Sequence, residues 1–166
     1  MFKHIRYFCC HASVFILIST SQPAFGQSDL GEWQARALLP TARQEIPHAV
    51  LNGKIYVPGG FTVSRSATNA VEVFDPSTND WSTAPSLPIA MHHLHLEVAN
   101  GKLYVLGGYV GSTFAASNRV FELNPQAASW VEKSNMPTSR GAAVAVTVDD
   151  KIYVIGGSAG GAPPGA

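Results

Sequence analysis

The segment Asn52-Gly53-Lys54-Ile55-Tyr56-Val57-Pro58-Gly59-Gly60 is the most informative part of the sequence, because the chain repeats it twice. It returns as Asn-Gly-Lys-Leu-Tyr-Val-Leu-Gly-Gly at residues 100–108 and as Asp-Asp-Lys-Ile-Tyr-Val-Ile-Gly-Gly at residues 149–157. Each copy joins a hairpin turn to a short apolar strand that two glycines end. The chain is therefore built from an internal repeat.

Further markers share the same register, with spacings of 48 and 49 residues. They are Trp33, Trp81 and Trp130; Pro40, Pro88 and Pro137; Lys54, Lys102 and Lys151; Tyr56, Tyr104 and Tyr153; and the glycine pairs Gly59-Gly60, Gly107-Gly108 and Gly156-Gly157. The one extra residue lies between Gly108 and Pro125, in a loop, where insertions are tolerated. A period of about 50 residues is typical of propeller blades.

Each full repeat predicts four short strands. In the first, Ala49–Leu51 and Lys54–Val57 flank the Asn-Gly turn, and residues 61–69 form a polar loop. Val71–Phe74 then alternates apolar and polar residues, and a last strand begins near Trp81. Residues 30–166 contain no helical periodicity of useful length. We therefore predict an all-β fold.

With its Asp-Pro turn and its tryptophan, this pattern resembles the kelch repeat over residues 33–157. The resemblance implies a β-propeller of four-stranded antiparallel blades whose first strands line a central channel. It also implies that the paired glycines end the second strand of each blade, and that the tryptophans and tyrosines pack between blades. These markers are thus predicted to be mostly structural.

Composition narrows the classes of function. Lys+Arg and Asp+Glu both number 11 among 166 residues, and no basic cluster occurs, which argues against a nucleic-acid partner. Lys3, Arg6, the apolar run Val14–Ile18 and Ala24-Phe25-Gly26 predict a signal peptide at residues 1–26, too short in its apolar part to span a membrane. The protein is therefore expected to be exported, periplasmic or secreted. Both cysteines, Cys9 and Cys10, would leave with the signal, so the mature chain would contain no disulfide and no thiolate ligand.

The repeat divides the remainder into unequal parts. Residues 27–157 hold a lone last-type strand (33–39), a blade (43–88), a second blade (91–137) and a half blade (140–157), followed by a Gly/Pro/Ala tail (158–166). The eleven predicted strands make about two and a half blades, whereas closed propellers have four to eight. We expect the chain to be the N-terminal part of a longer propeller, with the tail at the truncation point. The alternative is a partial propeller that self-associates through its unfinished blade edges.

Four residues are candidates for ligand binding at the channel mouth. Arg43 and Arg140 share one repeat position, where the resemblance implies arginines that grip acidic ligands; a guanidinium suits a carboxylate. The alternative for both is a structural arginine that packs on a neighbouring blade and is paired locally. His92 and His93 belong to a cluster with His95, and on one strand His93 and His95 would share a face opposite His92. A zinc site would need a third protein ligand, for which Glu45 of the preceding blade is a candidate; no metal site and no cofactor is predicted.

These observations predict an exported, non-catalytic binding scaffold whose loop face recognises a protein or a glycan. The alternative, from the same resemblance, is a fragment of a sugar-acting kelch enzyme such as a sialic acid (N-acetylneuraminate) mutarotase, in which Arg43 and Arg140 would hold the sugar carboxylate. A galactose oxidase-like enzyme fits less well, because its Cys–Tyr thioether needs a cysteine. A purely structural repeat between other domains is a third class.

Overall fold

The computed structural model describes residues 6–7, 31–124 and 128–160. All the regular elements of these residues are β-strands, as the sequence predicted. No helix long and apolar enough to cross a membrane occurs in this part of the chain. The chain divides into two units, residues 1–42 and residues 43–166.

The N-terminal unit contains two strands. β1 (Arg6–Tyr7) pairs in parallel with β2 (Gln34–Ala35). The strand predicted at residues 33–39 is thus reduced to two residues. The rest of the predicted signal peptide lies outside the described residues.

The second unit carries the repeats in fifteen described strands. They are β3 (Arg43–Gln44), β4 (Ala49–Leu51), β5 (Lys54–Pro58), β6 (Phe61–Thr62), β7 (Val71–Asp75), β8 (Asp80–Ala84), β9 (Met91–His92), β10 (His95–Ala99), β11 (Lys102–Leu106), β12 (Tyr109–Val110), β13 (Ala115–Ala116), β14 (Val120–Asn124), β15 (Ser129–Lys133), β16 (Val144–Val148) and β17 (Lys151–Ile155).

Two antiparallel sheets of four strands form the complete blades, in the orders β4-β5-β7-β8 and β10-β11-β14-β15. Asn52 and Gly53 both have positive φ, 51° and 74°, as the turn of the β4–β5 hairpin requires. β16 and β17 form a two-stranded sheet that repeats the first half of a blade. The predicted architecture of about two and a half blades is confirmed.

The main core lies between the two complete blades. It contains ten buried apolar side chains: Leu51, Val71, Leu87, Met91, Leu94, Leu96, Leu103, Val105, Phe121 and Leu123. Tyr56 and Trp130 pack against this core, and the Trp130 indole donates to the carbonyl oxygen of Pro85 at 2.7 Å. Burial of apolar area between neighbours is what stabilises stacked repeats.

Short strands also form in segments that the sequence predicted as loops. β6 pairs with β3 in the first repeat, and β12 pairs with both β9 and β13 in the second. After each glycine pair the chain turns back beside the segment that enters the blade, so backbone groups outside the main sheets find partners. These pairings place Phe61 and Tyr109, which hold the same repeat position, directly after the glycine pairs and beside the strands β3 and β9.

Candidate ligand-binding face

Three consecutive repeats are joined through one residue each, and each of these residues has left-handed backbone conformation. Glu45, His93 and Ala142 occupy equivalent positions and have φ of 57°, 49° and 51°. The His93 amide donates to the Glu45 carbonyl at 3.3 Å, and the Ala142 amide donates to the His93 carbonyl at 3.0 Å. Left-handed backbone is uncommon outside glycine, so its recurrence here indicates a constrained geometry. The blades are thereby joined, backbone to backbone, at the start of each first strand.

A cleft of about 400 Å³ opens beside this chain of amides. It is lined by one segment from each repeat: residues 45–48, 93–97 and 142–145. Its polar groups include Glu45, His48, His93, His95 and Glu97, while the third repeat supplies small apolar side chains. The cleft therefore combines ionisable side chains from two repeats with apolar side chains from all three, and ligand pockets commonly place a few polar groups among apolar ones.

A chain of hydrogen bonds fixes the protons on the two adjacent histidines. His92 is fully buried, and its Nε2 lies 2.7 Å from the carbonyl oxygen of Thr113, so Nε2 carries a proton and donates. Nδ1 of His92 must then accept from Nδ1 of His93, at 2.6 Å. Nε2 of His93 lies 3.1 Å from a carboxylate oxygen of Glu45.

Aromatic rings enclose the two histidines. The Phe61 ring centroid lies 3.9 Å from that of His92, and the Tyr109 and Phe114 rings lie 5.4 Å from it. Phe114 keeps 36% of its surface exposed, and its ring centroid lies 6.0 Å from that of His93. Sequence reasoning missed these rings, although an aromatic residue directly after Gly-Gly in two repeats was a visible signal. An exposed aromatic ring thus lies near the contact between His93 and Glu45.

The predicted arrangement of the histidines was wrong. His92 and His93 contact each other, because β9 ends at His92 and the left-handed His93 interrupts the strand before β10 begins at His95. His95 is buried, and its Nε2 accepts from the Ala143 amide at 3.0 Å. In the described part of the chain, no three His, Cys, Asp or Glu side chains are grouped closely enough to hold a metal ion.

Burial lowers the pKa of both His92 and His95, and the charge on His93 lowers them further. As pH falls below the ordinary value of 6.5, the unfolded chain binds these protons before the folded chain does. We therefore expect the urea midpoint to be highest above pH 6.5 and to decrease from pH 7.5 to pH 5.5. The urea midpoint of His95→Gln should decrease less over this pH range, because the glutamine amide oxygen can still accept from the Ala143 amide. The exposed His48 is the control. If the urea midpoints of His95→Gln and His48→Gln changed equally with pH, the buried His95 would not contribute to the pH dependence.

Arg43 lies inside the first blade. Its guanidinium has no exposed surface and pairs with the Glu72 carboxylate. It also donates to the carbonyl oxygen of Gly59 at 2.7 Å and to those of Val57 and Ala70 at 3.2 Å each. The structure therefore gives Arg43 a carboxylate partner in its own blade and leaves its side chain no surface at the channel mouth.

Arg140 is half-buried and makes some of the contacts that Arg43 makes in the first blade. Its Nη1 donates to the carbonyl oxygen of Gly156, as Arg43 does to that of Gly59, and its Nε donates to Oγ1 of Thr138 at 3.0 Å. Among the described residues, no acidic side chain forms an ion pair with it. Of the four predicted site residues, the structure thus brings His92 and His93 together, whereas each arginine contacts a carbonyl oxygen of its own repeat.

Comparison with known proteins agrees with this architecture. The family model described as the KLHDC2/KLHL20/DRC7 Kelch-repeats domain matches residues 24–157. A solved structure titled "Structure of YjhT" is 23% identical and superposes with a TM-score of 0.70, covering 78% of this chain and 49% of the other. The chain thus spans about half the length of that protein, and at this identity the similarity concerns the fold alone. A search of curated proteins found no match.

Proposed function

Because the chain belongs to the kelch-repeat family, we propose that it is an exported scaffold that binds a protein partner through the loop face around His93. The observation that carries this proposal is the cleft lined by equivalent segments of three repeats, with the His93–Glu45 pair at its mouth. Export rests on the signal-like residues 1–26. No catalytic role is assigned.

The composition of the mouth favours a protein as the ligand. Exposed Phe114 and Ile46 lie near the contact between His93 and Glu45. Aromatic and apolar side chains with few charged groups are the mixture found at the centre of protein interfaces. Blade-to-blade hydrogen bonds hold the backbone of Glu45 and His93 in place before any ligand arrives. A preformed site loses less entropy on binding.

Phe114→Ala should weaken binding of a protein ligand about tenfold or more, because exposed aromatic residues at the centre of an interface often contribute about 2 kcal/mol. Peptides selected from a displayed library against the full chain would serve as ligands, with affinity measured by calorimetry. Glu45→Gln should weaken the same ligands. Val131→Ala, which removes an exposed apolar side chain from β15, is the matched control. Ligands that are insensitive to both changes at the mouth would refute the proposal.

A second candidate, action on a sugar, is supported by one observation. Glu45 and His93 form a titratable pair 3.1 Å apart in the cleft, and anomer exchange requires an acid and a base placed together. Arg43 cannot hold the sugar carboxylate there, because it is buried against Glu72. Exchange of N-acetylneuraminate anomers followed by NMR, abolished by Glu45→Gln, would favour the enzyme. Binding of glycans without exchange would favour a lectin-like scaffold.

A further inference from the structure

Phe114 and His93, two of the groups assigned to ligand binding, belong to different segments of the second repeat. Phe114 ends the loop of residues 111–114 between β12 and β13, and His93 directly follows β9. Both rings contact the side chain of His92, which has no exposed surface. His92 can therefore affect a ligand only through its neighbours.

The imidazole of His92 attaches these two segments to each other. Its Nε2 donates to the carbonyl oxygen of Thr113 at 2.7 Å, and its Nδ1 accepts from Nδ1 of His93 at 2.6 Å. A neutral histidine has one donor and one acceptor on a rigid ring, so it makes both hydrogen bonds at once. The Phe61 ring packs on the same imidazole with 3.9 Å between ring centroids. The loop and His93 are thus held in one arrangement.

The loop of residues 111–114 has another attachment at its beginning. The Gly111 amide donates to the carbonyl oxygen of Ala90 at 2.8 Å. The hydrogen bond from His92 to Thr113 lies two residues further on and fixes the backbone directly before Phe114. Because Phe114 keeps 36% of its surface exposed, packing alone holds its ring weakly, and this backbone attachment contributes to its position.

The histidine occurs in the repeat that carries Phe114. Its equivalents are Gln44 in the first repeat, which is exposed, and Gly141 in the third. The Tyr109 ring occupies the space beside Gly141, where an added Cβ would lie 2.4 Å from Cζ of that ring. The junction between blades therefore forms without an imidazole at this position, and the histidine has a role specific to the second repeat.

We propose that His92 is a positioning residue for ligand binding, which holds Phe114 and His93 in the arrangement that a ligand contacts. It acts by preventing the loop of residues 111–114 from moving independently of His93. Groups that are fixed before a ligand arrives lose less entropy on binding. This role rests on the binding function proposed above.

The free chain tests the positioning without any ligand. The NMR order parameter of the Phe114 backbone amide should be near the value of about 0.85 found in rigid backbone. His92→Leu and His92→Phe remove both hydrogen bonds but keep an apolar side chain in place, and each should lower it below about 0.6. His92→Gln, whose amide can both donate and accept, should keep the wild-type value. His95→Leu is the control, because it removes a buried imidazole that bonds to the third repeat instead.

Binding tests the consequence, with displayed peptides selected on the wild-type chain. His92→Leu should weaken the peptides about threefold to tenfold, because a mobile loop has to be ordered on binding. His92→Gln should restore the affinity. Phe114→Ala should then cost less affinity in the His92→Leu chain than in the wild type, because the two changes act through the same contact. A merely structural role of His92 would leave the cost of Phe114→Ala equal in both chains.

Other results would overturn the proposal. An unchanged order parameter at Phe114 in both His92→Leu and His92→Phe would show that the loop is held without the histidine. With peptides that depend on Phe114, equal costs of Phe114→Ala in the two chains would refute the role of His92 and leave the proposed function standing. Peptides that Phe114→Ala does not weaken would refute the proposed function, and with it the role of His92 in binding.

Discussion

Glu72→Gln should lower the free energy of unfolding by about 3–5 kcal/mol, the range observed when one partner of a buried ion pair is removed. The Arg43 guanidinium has no exposed surface, and the Glu72 side chain is 6% exposed, so water cannot replace the lost carboxylate. A glutamine keeps the shape and one acceptor oxygen but leaves the arginine charge uncompensated. Urea unfolding followed by tryptophan fluorescence measures the change.

The second blade supplies the matched control. The double variant Arg43→Met, Glu72→Phe copies Met91 and Phe121, which stand at these two repeat positions, into the first blade, and replacing a buried pair by well-packed apolar residues is often neutral or stabilising. We expect it to unfold near the wild-type midpoint. Glu132→Gln, which breaks the exposed pair with Arg119, should have little effect. A Glu72→Gln midpoint as close to wild type as that of Glu132→Gln would contradict the structural role of this pair.

Arg43 and Arg140 illustrate where sequence reasoning succeeded and where it stopped. The repeat register correctly placed them at one position, because strand order and hairpin turns follow from local residue patterns. The repeat register could not show that Arg43 is buried and Arg140 is not. That difference depends on Glu72, which belongs to another strand and is brought near Arg43 by sheet pairing. The joint replacement of the pair by Met91 and Phe121 was a signal in the sequence, but reading it requires the strand register.

The predicted arrangement of the histidine cluster was wrong for a different reason. Alternation along a strand assumes extended backbone throughout, whereas His93 is left-handed and ends that alternation. Glu45 and Ala142 share the conformation, so it belongs to the junction between blades rather than to histidine itself. No residue preference at these three positions reveals it. The contact of His93 with Glu45 follows from that junction. The sequence shows only that the two residues occupy equivalent positions in neighbouring repeats.

The paired glycines offer a comparison within one repeat position. Gly59 and Gly156 both have left-handed φ, +62° and +70°. A Cβ on Gly59 would lie 2.6 Å from the carbonyl oxygen of Met91 and 2.7 Å from Cδ2 of Leu94, whereas a Cβ on Gly156 meets nothing within 4 Å. Alanine at either site has the same backbone strain and the same effect on the unfolded chain. The difference in stability between the two alanine variants therefore measures the effect of the close approach of neighbouring blades at Gly59.

Gly59→Ala should lower the free energy of unfolding by about 2–5 kcal/mol, combining about 1–2 kcal/mol for left-handed backbone with about 1–3 kcal/mol for overpacking. Gly156→Ala should lose only the backbone part, because its surroundings are open. Urea midpoints of the two variants, measured beside the wild type, give the difference directly. If the two alanine variants were equally unstable, the glycine at position 59 would be needed for its conformation alone, and the contact with the next blade would have no part in it.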